Sequence, residues 1–232
     1  MTIRRPISTS VRTAAVISLL LLLTATPASA QEKVFAEEKD SISFFRGFYV
    51  SFDLVGAGMA IFSDYGQYEG SLHVNLRDTW FPVVELGLGR ANSTEEVTGN
   101  HYETKAPYFK VGIDKNLIGK KHGPYRILAG LRYALTSYKA TITRPGLIDP
   151  FWRYVDDYEI RDASCKMHWM EALVALDAKI WGPVHLGWSV RYKLRVYHKE
   201  GDFDFGKTWY VPGFGVNDSG RLDATFNVIV DI

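Results

Sequence analysis

The segment Val184–Tyr197 alternates residue by residue. Val184, Leu186, Trp188, Val190, Tyr192, Leu194 and Val196 share one parity. His185, Gly187, Ser189, Arg191, Lys193, Arg195 and Tyr197 share the other. A helix advances about 100° per residue and would mix the two sets; an extended strand sends successive side chains to opposite faces and keeps them apart. Tyr68–Arg77 and the closing run Arg221–Ile232 repeat the split, with Ile229 the one apolar residue on the polar parity of the last run. Phe48–Ala60, Val83–Arg90, Tyr108–Lys115, Tyr125–Thr136 and Trp169–Ile180 follow it less cleanly. The pattern predicts eight strands, an even number that leaves both ends of the chain on one side. Gly56-Ala57-Gly58 falls inside the first of them and is read as a place of close packing or a bend.

The connections alternate in length. Asp78–Pro82 and Trp181–Pro183 are short, and Asn116–Pro124 is moderate. Ala91–Ala106, Lys139–Cys165 and His198–Ser219 are long; Ser63–Gln67 sits on the long side but is short. Tight turns at one end and long loops at the other suit an all-β, eight-stranded antiparallel up-and-down transmembrane β-barrel of the outer-membrane type. Phe48, Trp80, Phe81, Tyr125 and Trp181, near strand ends, would form its interfacial girdle. In such a barrel the apolar face meets lipid and the polar face lines the lumen. In a soluble, lipocalin-like barrel the faces are exchanged. The charge pattern suits either, but Leu, Val, Phe, Trp and Tyr on every strand would overfill so narrow an interior.

The polar parity carries nine basic residues: Arg77, Lys110, Arg126, Arg132, Lys179, Arg191, Lys193, Arg195 and Arg221. It carries eight acids: Asp53, Glu69, Glu85, Asp114, Glu171, Asp177, Asp223 and Asp231. His73 and His185 share that face. An unpaired interior charge is costly, so the near-balance predicts a filled, charge-paired lumen that does not conduct.

The first 30 residues hold Arg4, Arg5 and Arg12, the apolar core Ala14–Leu23 and the small-residue site Ala28-Ser29-Ala30. They read as an export signal cleaved after Ala30. Residues 31–46 then form a polar periplasmic lead-in and 47–232 the barrel. No Cys follows the apolar core to take a lipid anchor. Past the leader the chain has 27 − 3 = 24 basic residues against 26 acidic, which leaves no basic surplus for nucleic acid. With one Cys there is no internal disulfide.

No catalytic, metal or cofactor pattern stands out. His168 beside Ser164 is the nearest to a base and nucleophile, but Glu171 points to the opposite face. His101, His122 and His198 read as loop or turn residues without ligand spacing. Cys165, at the end of the longest loop, is read as a free thiol, with pairing between molecules the alternative. Pro145–Tyr154 and Phe203–Tyr210 are aromatic-rich and would either cap the barrel mouth or contact an extracellular partner.

Gly47–Leu54, Asp64–Gly70, Phe81–Gly87, Asp177–Pro183 with His185–Ser189, Trp209–Gly213 and Thr225–Asn227 resemble a family of small outer-membrane β-barrel proteins from Bacteroidetes, classed as a domain of unknown function. The resemblance implies an outer-membrane location in a Gram-negative anaerobe and implies no activity. The chain departs from general outer-membrane barrels by ending in Ile232 rather than an aromatic residue, with Phe226 six residues earlier. Asp40-Ser41-Ile42 is similar to the O-glycosylation sequon of Bacteroidetes, with Ser41 as acceptor. The expectation is a monomer in contact with outer-membrane lipid and the barrel-assembly machinery, structural or surface-interacting and without catalysis. A lipid-modifying enzyme, a narrow pore and a soluble ligand-binding barrel are the alternatives.

Overall fold

The computed structural model describes residues 43–95, 99–119, 122–148, 151, 155–201 and 208–232. The leader, residues 31–42 of the lead-in and Ser41 lie outside the described residues. Among the described residues, ten strands and one helix follow in order: β1 (Phe45–Asp53), α1 (Leu54–Phe62), β2 (Tyr65–Leu76), β3 (Trp80–Thr94), β4 (His101–Asn116), β5 (Tyr125–Ile148), β6 (Val155–Trp181), β7 (Val184–Lys199), β8 (Tyr210–Val211), β9 (Gly215–Val216) and β10 (Gly220–Asp231). Strands β1 to β7 and β10 pair antiparallel with their chain neighbours into a closed barrel. The closure joins Tyr49–Asp53 of β1 to Asn227–Asp231 of β10. Strands β8 and β9 form a separate small hairpin between β7 and β10.

The end that holds both termini of the barrel also holds its tight turns. Arg77 and Asp78 take φ of 55° and 50°, the left-handed centre of the β2–β3 turn, which the Thr79 amide closes by donating to the Leu76 carbonyl at 3.1 Å. Asn75 Oδ1 accepts from the Asp78 amide at 2.9 Å and fixes that turn. Arg46 and His122 converge on the Asp78 carboxylate, His122 Nδ1 at 2.5 Å.

Two expectations about the extent of the strands are corrected. The first strand stops at Asp53, not Ala60, and Gly56-Ala57-Gly58 is helical. Asp53 is the cause: its carboxylate accepts from the amides of Val55 and Gly56, both at 3.1 Å, and caps α1. Beyond Leu54 the run is apolar without alternation, so nothing holds it extended. The long connections are the second correction. β5 and β6 run 24 and 27 residues, far past the expected ends at Thr136 and Trp169.

The barrel has two tiers of opposite polarity. In the tier nearer the turns, Val84, Leu86, Val111, Leu131, Val174, Trp188, Val190 and Leu222 are exposed, while Glu85, Lys110, Arg132, Glu171 and Arg191 are buried. In the tier nearer the loops the pattern reverses. Tyr102, Ala106, Tyr138, Ala140, Cys165, Met167 and Trp169 are buried, and Glu103, Lys105, Lys139 and Lys166 face out. The reversal falls near Pro107 on β4, Ser137 on β5 and His168 on β6.

Candidate functional site

The lumen is the candidate site, and it is filled in layers. Its middle layer is ionic. Glu69 from β2, Glu85 from β3 and Glu171 from β6 surround two cations. Lys110 Nζ lies 2.8 Å from Glu69, 3.0 Å from Glu171 and 3.5 Å from Glu85. The Arg191 guanidinium lies 2.9 Å from Glu85, 3.0 Å from Glu69 and 3.4 Å from Glu171. Arg132 extends the layer: its fork donates to both oxygens of Asp114, at 2.6 and 2.8 Å, and its Nε to Glu85 at 2.8 Å. His73 Nε2 stands 3.3 Å from Asp114. Charges this deep survive only when each is paired and hydrogen-bonded. Period-two alternation on every strand aims them at one axis.

Two aromatic residues complete the hydrogen bonding. Tyr108 donates to Glu69 at 2.7 Å and Trp169 Nε1 to Glu171 at 2.7 Å. Neither stood out as a lumen residue in the sequence. Their signal was parity, since Tyr108 is two residues from Lys110 and Trp169 two from Glu171.

Above the ionic layer, toward the loops, the β8–β9 hairpin enters the barrel. Tyr210, Val211 and Phe214 are buried against Tyr102, Tyr108, Tyr138, Met167 and Trp169. Tyr102 donates to the Tyr210 carbonyl at 2.6 Å, and Tyr210 donates to the Gly66 carbonyl at 3.3 Å. Burial pushes the Tyr210 phenol well above its ordinary pKa, against the opposing pull of the Arg221 guanidinium. Lys193 Nζ joins the two layers, donating to Asp223 at 2.6 Å and to the Gly213 carbonyl at 2.9 Å. Gly213 takes φ of +82°, and a Cβ there would meet the Tyr108 ring at 2.5 Å, so the hairpin seats only with glycine. Of the loop expected over Phe203–Tyr210, residues 203–207 lie outside the described residues, and Tyr210 packs inside the barrel.

Below the ionic layer Tyr49, Phe81, Leu128 and Ile229 close an apolar layer. Ile229, the exception in the last strand's alternation, belongs there, and so does Phe81, which is fully buried rather than part of the outer girdle expected for it. Beneath it Arg126 reaches Asp231 at 3.0 Å, and His185 lies between Asp177 at 3.0 Å and Asp231 at 3.1 Å. A cavity of about 400 Å³ opens at the turn end, lined by Arg46, Asp78, His122, Arg126, His185 and Asp231 among others. A second of about 570 Å³ lies at the loop end beside Tyr102, Ile142 and Trp209. The voids described between them are about 30 and 40 Å³, room for little more than a water each.

Thirteen of the 18 expected network residues are buried: Asp53, Glu69, His73, Glu85, Lys110, Asp114, Arg126, Arg132, Glu171, Asp177, His185, Arg191 and Lys193. Asp53 turns its carboxylate to capping α1 rather than to a cation. Asp223 and Arg195 are half-buried, the latter on Asn217 at 3.1 Å, and Arg221 is half-buried beside Gly215. Arg77 and Lys179 are exposed and stand outside the network. Arg77 sits in the turn, over the Phe44 ring, and a register shift follows Lys179 at the end of β6.

The other candidates resolve simply. His168 faces outward, its Nδ1 2.8 Å from the Tyr133 hydroxyl, and no hydrogen bond joins it to Ser164. His198 belongs to β7 rather than a loop, with Nε2 3.1 Å from the Tyr138 hydroxyl. Cys165 is buried within β6, not at a loop end, and its sulfur accepts from the Gly201 amide at 3.4 Å. That burial removes it from pairing between folded molecules. Among the described residues no cluster of His, Cys, Asp and Glu could hold a metal.

The architecture defines the class: an eight-stranded antiparallel up-and-down β-barrel whose lumen is closed by its own side chains and a loop hairpin. Residues 12–231 match the family described as a domain of unknown function, DUF6048, and the chain belongs to it. No curated protein matches the chain. Among solved structures it is similar to the crystal structure of a major outer membrane protein from Thermus thermophilus. The likeness has a TM-score of 0.45 at 12% identity, over 80% of this chain and 98% of that one.

Proposed function

We propose that the protein is an outer-membrane β-barrel with a closed lumen, placed with its turns in the periplasm and its loops outside. Its role is structural or one of surface interaction, without catalysis or conduction. The observation that carries this reading is the polarity of the turn-end tier, apolar outside and ionic inside. On β5 the outward apolar residues run from Tyr125 to Leu135. At about 3.4 Å per residue and a tilt of about 40°, those ten steps rise ~26 Å, close to the apolar band of a membrane barrel. A soluble barrel would leave this belt in water as an apolar patch far beyond what soluble surfaces carry.

The closed lumen speaks against a pore. The ionic layer, the apolar layer below it and the hairpin above it stand in series. Export by the expected leader and insertion by the barrel-assembly machinery belong to the same reading. So does a monomer in outer-membrane lipid, with loops free for an extracellular partner.

The deciding experiment is fractionation followed by gel mobility with and without boiling. The expected result is protein in the outer-membrane fraction with a heat-shifted band. Protein in the soluble periplasm, with no such shift, overturns the membrane assignment. Planar-bilayer recording tests the plug separately: stable, well-resolved current steps from purified protein would overturn it. Identical lipid A mass spectra from deletion and wild-type cells are expected, and a difference would favour a lipid-modifying enzyme.

A further inference from the structure

Five cations stand on the outside of the barrel where its polarity reverses. Arg90 on β3 lies opposite Lys105 on β4. The β4–β5 register, with Thr104 opposite Ala140, brings Lys105 opposite Lys139. Lys139 lies opposite Ser164 on β6, diagonal to Lys166, and Lys166 lies opposite Lys199 on β7. All five are exposed.

Like charges opposite one another on neighbouring strands repel. Among the described residues little offsets that. Lys139 has Asp162 at 3.7 Å, and Arg90 donates to the Ala60 carbonyl. No described carboxylate forms an ion pair with Lys105, Lys166 or Lys199, although Glu103 also faces out two residues beyond Lys105. Directly beneath the band runs an aromatic row. His168 lies opposite Tyr197, their rings 5.6 Å apart, and His168 is bonded to Tyr133. Below that row the exterior is Leu, Val, Met and Trp.

From the turn end upward the outside therefore reads apolar, aromatic, cationic. That is the order in which hydrocarbon, interface and headgroup phosphate are met on leaving a bilayer. The band is convex and spread over five strands. It lacks the concavity that captures a single soluble anion, and it matches a two-dimensional array of anions. We infer that this band binds the phosphates of anionic lipid headgroups in the leaflet at the loop end, with Lys139, Lys166 and Lys199 at its centre. The inference rests on the membrane reading above.

The test uses the full barrel in detergent. Its heat-shifted band and its flotation with phosphatidylcholine vesicles are measured first, and failure there overturns the membrane reading itself. Bis-phosphorylated lipid A is then titrated against the barrel, with dephosphorylated lipid A and inorganic phosphate as separate probes. Replacing Lys139, Lys166 and Lys199 together by Gln is expected to weaken lipid binding by about tenfold or more, while Arg at the same three positions holds it within about twofold. Added salt is expected to weaken binding by the unaltered barrel. Unchanged binding by a Gln variant that keeps its heat-shifted band overturns the inference. So does displacement of the lipid by an equal concentration of inorganic phosphate, which would make the band a free-anion site. If the Gln variant does not fold, the unaltered barrel decides. Equal affinity for phosphorylated and dephosphorylated lipid A overturns the proposal, and a preference for the phosphorylated form supports it.

Discussion

The two tiers of the barrel are built from the same strands under opposite rules. On β4, Lys110 and Asp114 point inward beneath the reversal while Phe109, Val111 and Ile113 face out. A few residues toward the loops, Tyr102, Thr104 and Ala106 point inward and Glu103 and Lys105 face out. Strand geometry does not change between the tiers; the polarity of each face does. The loop-end tier obeys the ordinary rule of a protein in water. The turn-end tier obeys the rule of one in lipid, where charges retreat to the lumen and must pair there. Under the proposed membrane reading, the reversal marks where lipid would give way to water.

Breaking the turn-end tier from within should have the largest effect. Arg191→Ala leaves Glu69, Glu85 and Glu171 with Lys110 as their remaining shared cation. Removing one partner of a buried ionic cluster costs about 3–5 kcal/mol. Urea unfolding of the vesicle-inserted barrel, followed by Trp fluorescence, should show a loss of that size. A loss below about 1 kcal/mol would mean water reaches the layer. Val174→Arg attacks the same tier from outside. A cation on the lipid face near mid-membrane costs about 2–4 kcal/mol, whereas an exposed strand position in water tolerates Arg within about half a kcal/mol. The same titration separates the two outcomes.

The loop-end tier should respond less. Gly213→Ala forces a Cβ against the Tyr108 ring and a strained φ. About 1–3 kcal/mol is expected, with the hairpin loosened before the barrel opens. Faster hydrogen exchange at Val211 and Phe214, with the barrel strands still protected, would bear this out; uniform protection would refute it. The smallest effect belongs to the turn-end rim. Asp78→Asn removes a buried anion whose partners Arg46 and His122 still reach water, and should cost about 1 kcal/mol in the unfolding titration. A larger loss would make that rim part of the buried network.

The turn-end tier was legible in the sequence because alternation there sorts the side chains into two clean faces. Arg191 and Lys193 share a parity with the residues that fill the lumen, and parity alone placed them. The loop-end tier was not. From Ser137 to Ala140 the alternation continues, but polar residues now face out and Tyr138 and Ala140 face in. An inverted pattern of the same period reads as the end of a strand, which is why β5 and β6 were expected to be much shorter. The helix α1 was missed for a different reason. Asp53 was assigned to the lumen by parity, yet its short side chain bends back to the amides of Val55 and Gly56. Capping is a local competition that period alone does not reveal. The β8–β9 hairpin was illegible because its pairing with the barrel wall rests on contacts such as Tyr102 with Tyr210, which no local pattern encodes.

The seam between β1 and β10 has a consequence in time. It joins Tyr49 to Asp231, which lie at opposite ends of the barrel's stretch of sequence. Until the last strand is made, β1 has an open edge that hydrocarbon cannot tolerate. The ionic layer is likewise incomplete until β7 delivers Arg191 to the three glutamates. In the proposed membrane setting, the barrel can therefore close only once the whole chain is present. Contacts of such long sequence separation make closure slow. The final pairing then traps the charges behind a wall that only global unfolding reopens, so the barrel's persistence is set by how slowly that seam parts.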